Sequence, residues 1–429
     1  MARSQISHRT PESPAGSEYL TAADAARLLR IKPLTLYTYV SRGLIRSASQ
    51  PGRRTRLYYR EDIEMLRVRS EARLGKGAMA EGAMRWGGQP VVNTSITEIT
   101  PEGPRYRGRN AVMLAREGRS FEAVSELLWT GVLHDEPMRW AYEPPPSAFA
   151  RMMQGVARQK SRLPMPRIYA LATTVLGVAE STESEIRRGT TVAAARQLIL
   201  VLTGCIGYFG RRPAFRSPRP DKSIAESVAS AFFSRPESQA VGAINQALVL
   251  CADHELSSST FAARVAASTG AELRACVLAA IAAHSGATLG GACDRAEDLL
   301  HDAKTRNEVR KRLAATAQAG SRVPGFNLPV YPKGDPRAQH LLQLAQSLVP
   351  RNSRSRLIHA FIEEAEHNLH LLPSIEVGMV ALSAALGLPE RSASALWTLG
   401  RTAGWIAHVL EQRLAGFVLR PRARYSDNS

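Results

Sequence analysis

Two glycine-rich segments and one arginine carry the clearest chemistry in the sequence. The first segment runs from Gly286 to Ala292 and the second from Pro324 to Tyr331, with Arg337 following in an Asp-Pro-Arg-Ala run. Each has the pattern of a helix end that runs into a glycine turn, where backbone can approach a ligand closely because glycine has no Cβ. A guanidinium presents a planar fork of donors that matches a carboxylate or a phosphate. The pattern therefore predicts a ligand site that holds an anion.

These segments resemble motifs of the citrate synthase family. That family reads Leu-His-Gly-Gly-Ala in the first segment, and Gly-Phe-Gly-His-x-Val-Tyr followed by Asp-Pro-Arg-Ala in the second. Residues 252–260 match its Ala-Asp-His-Glu-x-x-x-Ser-Thr run, and residues 93–109 and 120–124 match its opening runs Ser-Ser-Ile-Thr, Arg-Tyr-Arg-Gly and Ser-Phe-Glu-Glu-Val. The resemblance implies a mainly α fold with an all-α two-lobed body that pairs as a homodimer. The expected large lobe is 86–290 plus 391–429, and the expected small lobe is 291–390.

The resemblance also implies a reaction, the condensation of acetyl-CoA with oxaloacetate. In the family an aspartate removes a methyl proton, two histidines donate hydrogen bonds to developing or polarised oxygens, and arginines with a further histidine hold the carboxylates. Carried onto this sequence, the substrate-binding residues are His254, Arg337, Arg401 and Arg420, the last reaching the site of the neighbouring chain. A CoA thioester is then a substrate or ligand, and no covalently bound cofactor is expected. The sequence does not indicate which residues bind CoA, and it predicts no metal site.

The positions that would handle protons differ from the family pattern. The two motif histidines are Leu289 and Leu328 here, and the aspartate position is Glu376. Leucine cannot donate a hydrogen bond, and loss of one such donor lowers the rate by roughly 10²–10³. Glutamate carries its carboxylate about an ångström further, which costs on the order of 100-fold. His284 and the side-chain amide of Asn327 are two candidate substitutes.

Residues 18–75 predict a small DNA-binding unit ahead of this body. Thr21 is a plausible cap for a short amphipathic helix, and a second helix is predicted from Pro33 to Ser41. A Pro-Gly turn at 51–52 between extended residues then marks a β-hairpin wing. The unit resembles the winged helix-turn-helix of MerR-like regulators. The residues expected to contact DNA are Thr35, Tyr37, Thr38 and Tyr39 in the major groove, and Arg53, Arg54 and Arg56 at phosphates.

The charge balance favours a polyanionic partner. The chain of 429 residues has a formal net charge of +18 and a pI of about 10.3. Residues 1–60 hold eleven Lys or Arg against three acidic residues, and this uneven distribution favours a polyanionic partner, either nucleic acid or a phosphorylated cofactor. A proteome that prefers arginine would explain the total charge equally well, and the basic unit could instead pack on its neighbour or bind a protein. Residues 1–17 are expected to be disordered, and 76–85 to form a linker.

Cysteine usage and hydropathy favour a cytoplasmic protein with no membrane partner. The four cysteines have no metal-ligand spacing and are expected to be buried reduced thiols. The longest uncharged apolar run, Leu198 to Gly210, is short for a membrane crossing, which needs about 20 residues. No secretory signal is predicted at the N-terminus.

Three functions remain open from the sequence. The first is a dimeric DNA-binding regulator whose body binds CoA esters or dicarboxylates and is catalytically impaired. The second is a working citrate or methylcitrate synthase of the tricarboxylic acid cycle, an acyltransferase with an added N-terminal domain. The third is a partner subunit that donates Arg420 to the site of an active paralogue.

Overall fold

The structure is a computed structural model that describes most of the chain. The described residues are 19–29, 31–41, 43–49, 56–60, 62–64, 66, 92–136, 138–158, 164–179, 185–210, 212–287, 291–348 and 352–420. The predicted disordered tail, the predicted linker and the candidate residues Arg53, Arg54 and Leu289 lie outside them.

The N-terminal unit is a helix-turn-helix followed by a wing. The helices are α1 (Ala22–Leu29) and α2 (Pro33–Ser41), and the strands are β1 (Tyr19–Leu20), β2 (Ser47–Ser49) and β3 (Arg56–Tyr59). The sheet order is β1-β3-β2, and both pairs are antiparallel. Thr21 accepts a hydrogen bond from the backbone of Asp24 at 3.2 Å, so the predicted helix cap is present. A small core that includes Leu20, Leu36 and Tyr58 holds the unit together.

The rest of the described chain is almost wholly helical. One antiparallel sheet of order β4-β5-β6 opens it, from strands β4 (Thr97–Thr100), β5 (Gly103–Tyr106) and β6 (Arg109–Asn110). The helices that follow are α3 (Ala111–Arg116), α4 (Phe121–Thr130), α5 (Ser147–Ala157), α6 (Met165–Ala179), α7 (Glu185–Arg188), α8 (Thr191–Cys205), α9 (Ile224–Phe232), α10 (Ser238–Cys251), α11 (Ser258–Ser268), α12 (Leu273–His284), α13 (Gly291–Leu300), α14 (Arg306–Gln318), α15 (Pro336–Ser347), α16 (Ser353–Leu369), α17 (Ile375–Ala385) and α18 (Ser392–Ala415). A 3₁₀ turn, Ile206–Phe209, extends α8.

The long helix α18 is the centre of this body. Almost all of its residues are buried. It packs against helices α4, α6, α8, α10, α11, α12, α13 and α17. Glycines and alanines on the helix permit this, because small side chains let neighbouring backbones come close. Gly416 ends the helix in the left-handed region at φ 69°, where glycine is not strained. The helix extends from Ser392 to Ala415, and Gly416 is the local sequence signal for its end.

One stretch of the described residues is long and apolar enough to cross a membrane. It runs from Thr191 to Phe209, and 72% of its best window is buried inside the protein. The uncharged part of the sequence is shorter than this stretch, because Arg196 lies within the helix, where it pairs with Glu126 at 2.7 Å. Burial of this kind is what a core helix of a large helical body shows.

The N-terminal unit contacts the body at the end of α2. A Cβ on Gly189, between α7 and α8, would lie 1.8 Å from the carbonyl oxygen of Ser41, and one on Gly131 would lie 2.9 Å from the ring of Tyr59. Both glycines have positive φ angles, 69° and 77°. The two close approaches therefore involve the end of α2 and the end of β3.

Candidate functional site

The loop after α10 places His254 against the second glycine-rich segment. Its Nε2 lies 3.2 Å from the hydroxyl of Tyr331, and the two rings meet edge to face at 5.6 Å. Burial, followed by Arg337 and Arg401, holds the pKa of His254 well below its ordinary value. The imidazole is therefore neutral at neutral pH, and its protonated nitrogen can donate a single hydrogen bond to a ligand or to Tyr331.

A series of linked, buried polar side chains holds this loop in place. Asp253 lies 3.2 Å from His408, whose other ring nitrogen lies 3.4 Å from Arg264. Arg264 in turn pairs with Glu411 at 2.6 Å. Burial alone would raise the pKa of Asp253, but His408 and Arg401 outweigh burial and lower it. The residue next to His254 is thus a fixed buried anion.

Two glycines bring Arg401 onto the end of α10. Arg401 donates from Nε to the carbonyl of Cys251 at 2.8 Å, and the backbone of Gly404 donates to the carbonyl of Ala252 at 2.8 Å. A Cβ on Gly400 would lie 2.8 Å from the carbonyl oxygen of the preceding turn of α10 and from the side chain of Cys251. The spacing Gly-Arg-x-x-Gly therefore lets α18 pack backbone to backbone beside the arginine.

Arg337 is held by the residue that caps its own helix. Asp335 accepts from the backbone of Arg337 at 3.0 Å and pairs with its guanidinium at 3.0 and 2.8 Å. It also accepts from the backbone of Ile375 at 3.1 Å, which joins the starts of α15 and α17. Burial alone would lower the pKa of Arg337, but Asp335 outweighs burial and raises it. Among the described residues, Nη1 of Arg337 has no hydrogen-bond partner although it is buried.

Glu376 lies in the first turn of α17, in range of both arginines. It is 9% exposed, and its Oε2 finds no hydrogen-bond partner among the described residues. Burial raises the pKa of Glu376, Asp335 raises it further, and Arg337 and Arg401 oppose them. The charges of Arg337 and Arg401 therefore act on both His254 and Glu376, which groups these four residues in one electrostatic cluster. Their role in binding a substrate stays a prediction.

Leu328 is half-buried, and its carbonyl accepts from the backbone of Tyr331 at 2.9 Å. Asn327, at φ 54°, accepts with its side-chain oxygen from the backbone of Leu372 at 2.8 Å. This contact ties the Asn327 side chain to the chain that leads into α17. Leu328 therefore puts an aliphatic side chain in the turn that leads to Tyr331.

His284 is fully buried at the end of α12. Its ring meets the rings of Trp397 and Trp405 edge to face at 4.8 and 5.4 Å. Burial, followed by Arg401, lowers the pKa of His284 to about 3. Its Nε2 has no hydrogen-bond partner among the described residues. The imidazole is thus neutral and packs against the rings of two tryptophans.

Arg420 is exposed at the end of the described chain. The backbone of the preceding residue, Leu419, donates to Ser268 at 3.1 Å, which holds this segment on α11. The contact of Arg420 with a neighbouring chain stays a prediction. Among the described residues, no three His, Cys, Asp or Glu side chains gather as a metal site requires.

The residues proposed for DNA contact differ in exposure. Tyr37 is 52% exposed, and Arg56 is exposed on β3. The hydroxyl of Thr38 donates to the carbonyl of Leu34 at 3.0 Å, and the ring of Tyr39 packs on the small core of the unit. Thr35 is half-buried. Leu34, which the sequence argument overlooked, is 78% exposed, although its position three residues before Tyr37 already put both on one helix face.

The comparisons with known proteins agree with the fold. The profile of the citrate synthase C-terminal domain matches residues 85–422, and that of a helix-turn-helix domain matches residues 19–66. The chain therefore belongs to the citrate synthase family and carries a helix-turn-helix domain in front.

The matches with individual relatives extend over nearly the whole length of those relatives. Citrate synthase 2 of Bacillus subtilis is 26% identical over 351 residues, or 79% of this chain and 94% of that protein. The 2-methylcitrate synthase of Shewanella oneidensis is 26% identical over 353 residues, or 79% and 93%. The citrate synthase of Thermoplasma acidophilum, solved with carboxymethyl coenzyme A and oxaloacetate, superposes with a TM-score of 0.69 at 24% identity over 79% of this chain and 94% of that one. This last likeness concerns the fold.

Proposed function

We propose that this chain is a dimeric DNA-binding regulator whose body binds a dicarboxylate and an acyl-CoA but condenses them poorly. The observation that carries the proposal is the contrast within the site. Arg337 and Arg401 act electrostatically on His254, whereas the position that matches a motif histidine of the family is the aliphatic Leu328.

The two arginines favour an anionic ligand. Burial lowers the pKa of Arg401, Asp253 opposes that effect, and the nearby charge of Arg337 lowers the pKa further. Two buried cations that repel each other are stabilised by an anion placed between them. The unpartnered Nη1 of Arg337 supplies a donor for such an anion. A dicarboxylate such as oxaloacetate offers two carboxylates to this pair, and His254 can donate to its carbonyl.

The proton chemistry of the family is impaired in this proposal. Each missing donor to a developing oxyanion lowers the rate by roughly 10²–10³, and the two losses do not simply add. A slow residual reaction has some support, because Glu376 is a buried carboxyl whose pKa is raised and whose Oε2 is unpartnered. A carboxyl of this kind is a candidate base. A working citrate or methylcitrate synthase is therefore the second candidate.

The regulatory part of the proposal rests on the N-terminal domain. A helix-turn-helix with a wing and a strongly basic sequence is the pattern of a duplex-binding module. A two-fold dimer of the body would present two such modules to two half-sites. The same proposal puts the protein in the cytoplasm, where DNA and CoA esters are both available. The four free buried cysteines are consistent with the reducing conditions of that compartment.

Calorimetry and turnover measured on one preparation test the proposal. Titration with oxaloacetate and with CoA should give measurable binding to each, while thiol release from acetyl-CoA and oxaloacetate stays at least 100-fold below ordinary family rates. Propionyl-CoA is assayed in parallel for the methylcitrate reaction. Turnover near 10 s⁻¹, the ordinary median for enzymes, would establish the second candidate. Absence of heat with either ligand would remove the ligand-binding role.

A further inference from the structure

We propose that α2 reads thymine methyl groups in the major groove through Leu34 and Tyr37. This inference rests on the proposed DNA binding and specifies how sequence would be recognised. It concerns the exposed face of α2 that carries these two side chains.

The outward face of α2 is set by burial of its opposite side. Leu36 is fully buried in the core of the unit, while Leu34 is 78% and Tyr37 is 52% exposed. Leu34 has the largest exposed fraction of the large apolar side chains in the part of the chain that the structure describes. Residues three apart lie on one helix face, and these two belong to the first half of α2. The first residues of a recognition helix are those that reach base edges.

The composition of α2 lacks the side chains that identify bases by two-point hydrogen bonds. Its sequence, Pro-Leu-Thr-Leu-Tyr-Thr-Tyr-Val-Ser, contains no Arg, Lys, Asn, Gln, Asp or Glu. Those side chains make the two-point contacts that identify guanine and adenine or accept from cytosine. The Thr38 hydroxyl already donates to the carbonyl of Leu34, and Tyr39 packs inward. Apolar contact with the C5 methyl of thymine is the base readout that remains for Leu34 and the Tyr37 ring.

The surroundings of this face favour DNA over a protein partner. Lys32 is exposed immediately before α2, and Arg56 is exposed on β3. Cations beside an apolar contact suit a duplex, because phosphates line both sides of the groove that the helix enters. Two exposed side chains also cannot supply the roughly 800 Å² per partner that a stable protein interface buries.

The test removes the methyl group and nothing else. Binding of the full chain to labelled alternating dA–dT duplexes is compared, by fluorescence anisotropy at fixed low salt, with binding to alternating dA–dU duplexes. We expect affinity to fall about four- to tenfold when uracil replaces thymine. Methylating cytosine at C5 in a mixed-sequence duplex puts a methyl group back into the same groove and should raise affinity. Leu34→Ala should reduce the thymine-to-uracil ratio, whereas Leu171→Ala, at a 42% exposed leucine on α6, should leave it unchanged.

The outcomes distinguish failure of thymine methyl readout from failure of DNA binding itself. Equal affinity for thymine and uracil duplexes would overturn methyl readout while leaving DNA binding in place. No binding to any duplex, even at low salt, would overturn DNA binding itself. Sedimentation of wild type and Leu34→Ala gives the remaining outcome. If the variant changes the oligomeric state and not the thymine preference, the face belongs to a contact between copies and the inference fails.

Discussion

Replacing Arg401 should weaken the affinity for oxaloacetate without unfolding the protein. Arg401 is 3% exposed, and its one described hydrogen bond within the protein runs from Nε to the carbonyl of Cys251. A charge-assisted hydrogen bond contributes about 1.5–3 kcal/mol, so Arg401→Gln should raise the Kd for oxaloacetate about 10- to 150-fold. Arg401→Lys keeps the charge but loses the planar fork, and we expect a smaller loss of about three- to tenfold.

Stability without ligand is the internal control for this experiment. Asp253 keeps His408 as a partner at 3.2 Å when Arg401 is replaced, and the repulsion between Arg401 and Arg337 disappears. The free energy of unfolding of the unliganded variant should fall by about 1–3 kcal/mol, because the hydrogen bond to the carbonyl of Cys251 is lost. Calorimetric titration gives the affinity, and urea unfolding gives the stability. An unchanged Kd for Arg401→Gln in a folded protein would refute the assignment of Arg401 to the anion site.

Three further predictions test other parts of the site. Leu289→His combined with Leu328→His should raise CoA thiol release at least 100-fold, because both missing donors return. Gly404→Ala should destabilise the protein by about 3 kcal/mol or more, since its Cβ would lie 2.1 Å from Oδ1 of Asp253. His284→Phe should reduce acid sensitivity. With a pKa lowered from 6.5 to about 3, His284 binds a proton in the unfolded chain at pH 5 but not in the folded one, which removes about 2 kcal/mol of stability between pH 7 and pH 5.

Each of these has a matched control in the same chain. Leu171→His places a new imidazole on the surface of α6 and should not raise thiol release. Gly242→Ala is the control for the glycine variant, because nothing lies within 4 Å of a Cβ there, and it should stabilise α10 by about 0.5–1 kcal/mol. His301→Gln, at a side chain 67% exposed, should leave the loss of stability at pH 5 as it is. Equal behaviour of a variant and its control would contradict the corresponding prediction.

Local signals in the sequence predicted much of the fold. Thr21 with Asp24, and Pro33 with Gly43, determine α1 and α2 through capping and fixed backbone angles, and these signals need no tertiary information. Gly416 does the same for the end of α18. The division of the body into two lobes and its pairing into a dimer stay predictions.

Contacts across the chain could not be predicted in the same way. The pairing of His254 with Tyr331 joins residues 77 positions apart, and that of Asp335 with Ile375 joins residues 40 apart. Neither pair has a local pattern. The exposure of Leu34 had a partial signal, since its spacing from Tyr37 puts both on one face, but the burial of Leu36 decides which face points outward. The role of Gly400 and Gly404 depends on which helix they meet.

The hydrogen bonds of Arg337 and Arg401 do not involve Leu328, so anion binding could be kept in this fold while proton transfer is lost. The groups proposed to hold the anion come from the end of α10, the start of α15 and the middle of α18, where Asp335 and the carbonyl of Cys251 bind the two arginines. Leu328 lies outside that set, is half-buried and makes a local backbone contact with Tyr331. A change from histidine to leucine there removes a donor without breaking any of the bonds that hold the arginines. Under the proposed function, loss of catalysis with retention of ligand binding would need only substitutions outside this bonded set, and the helix-turn-helix domain would let the chain use the ligand as a signal.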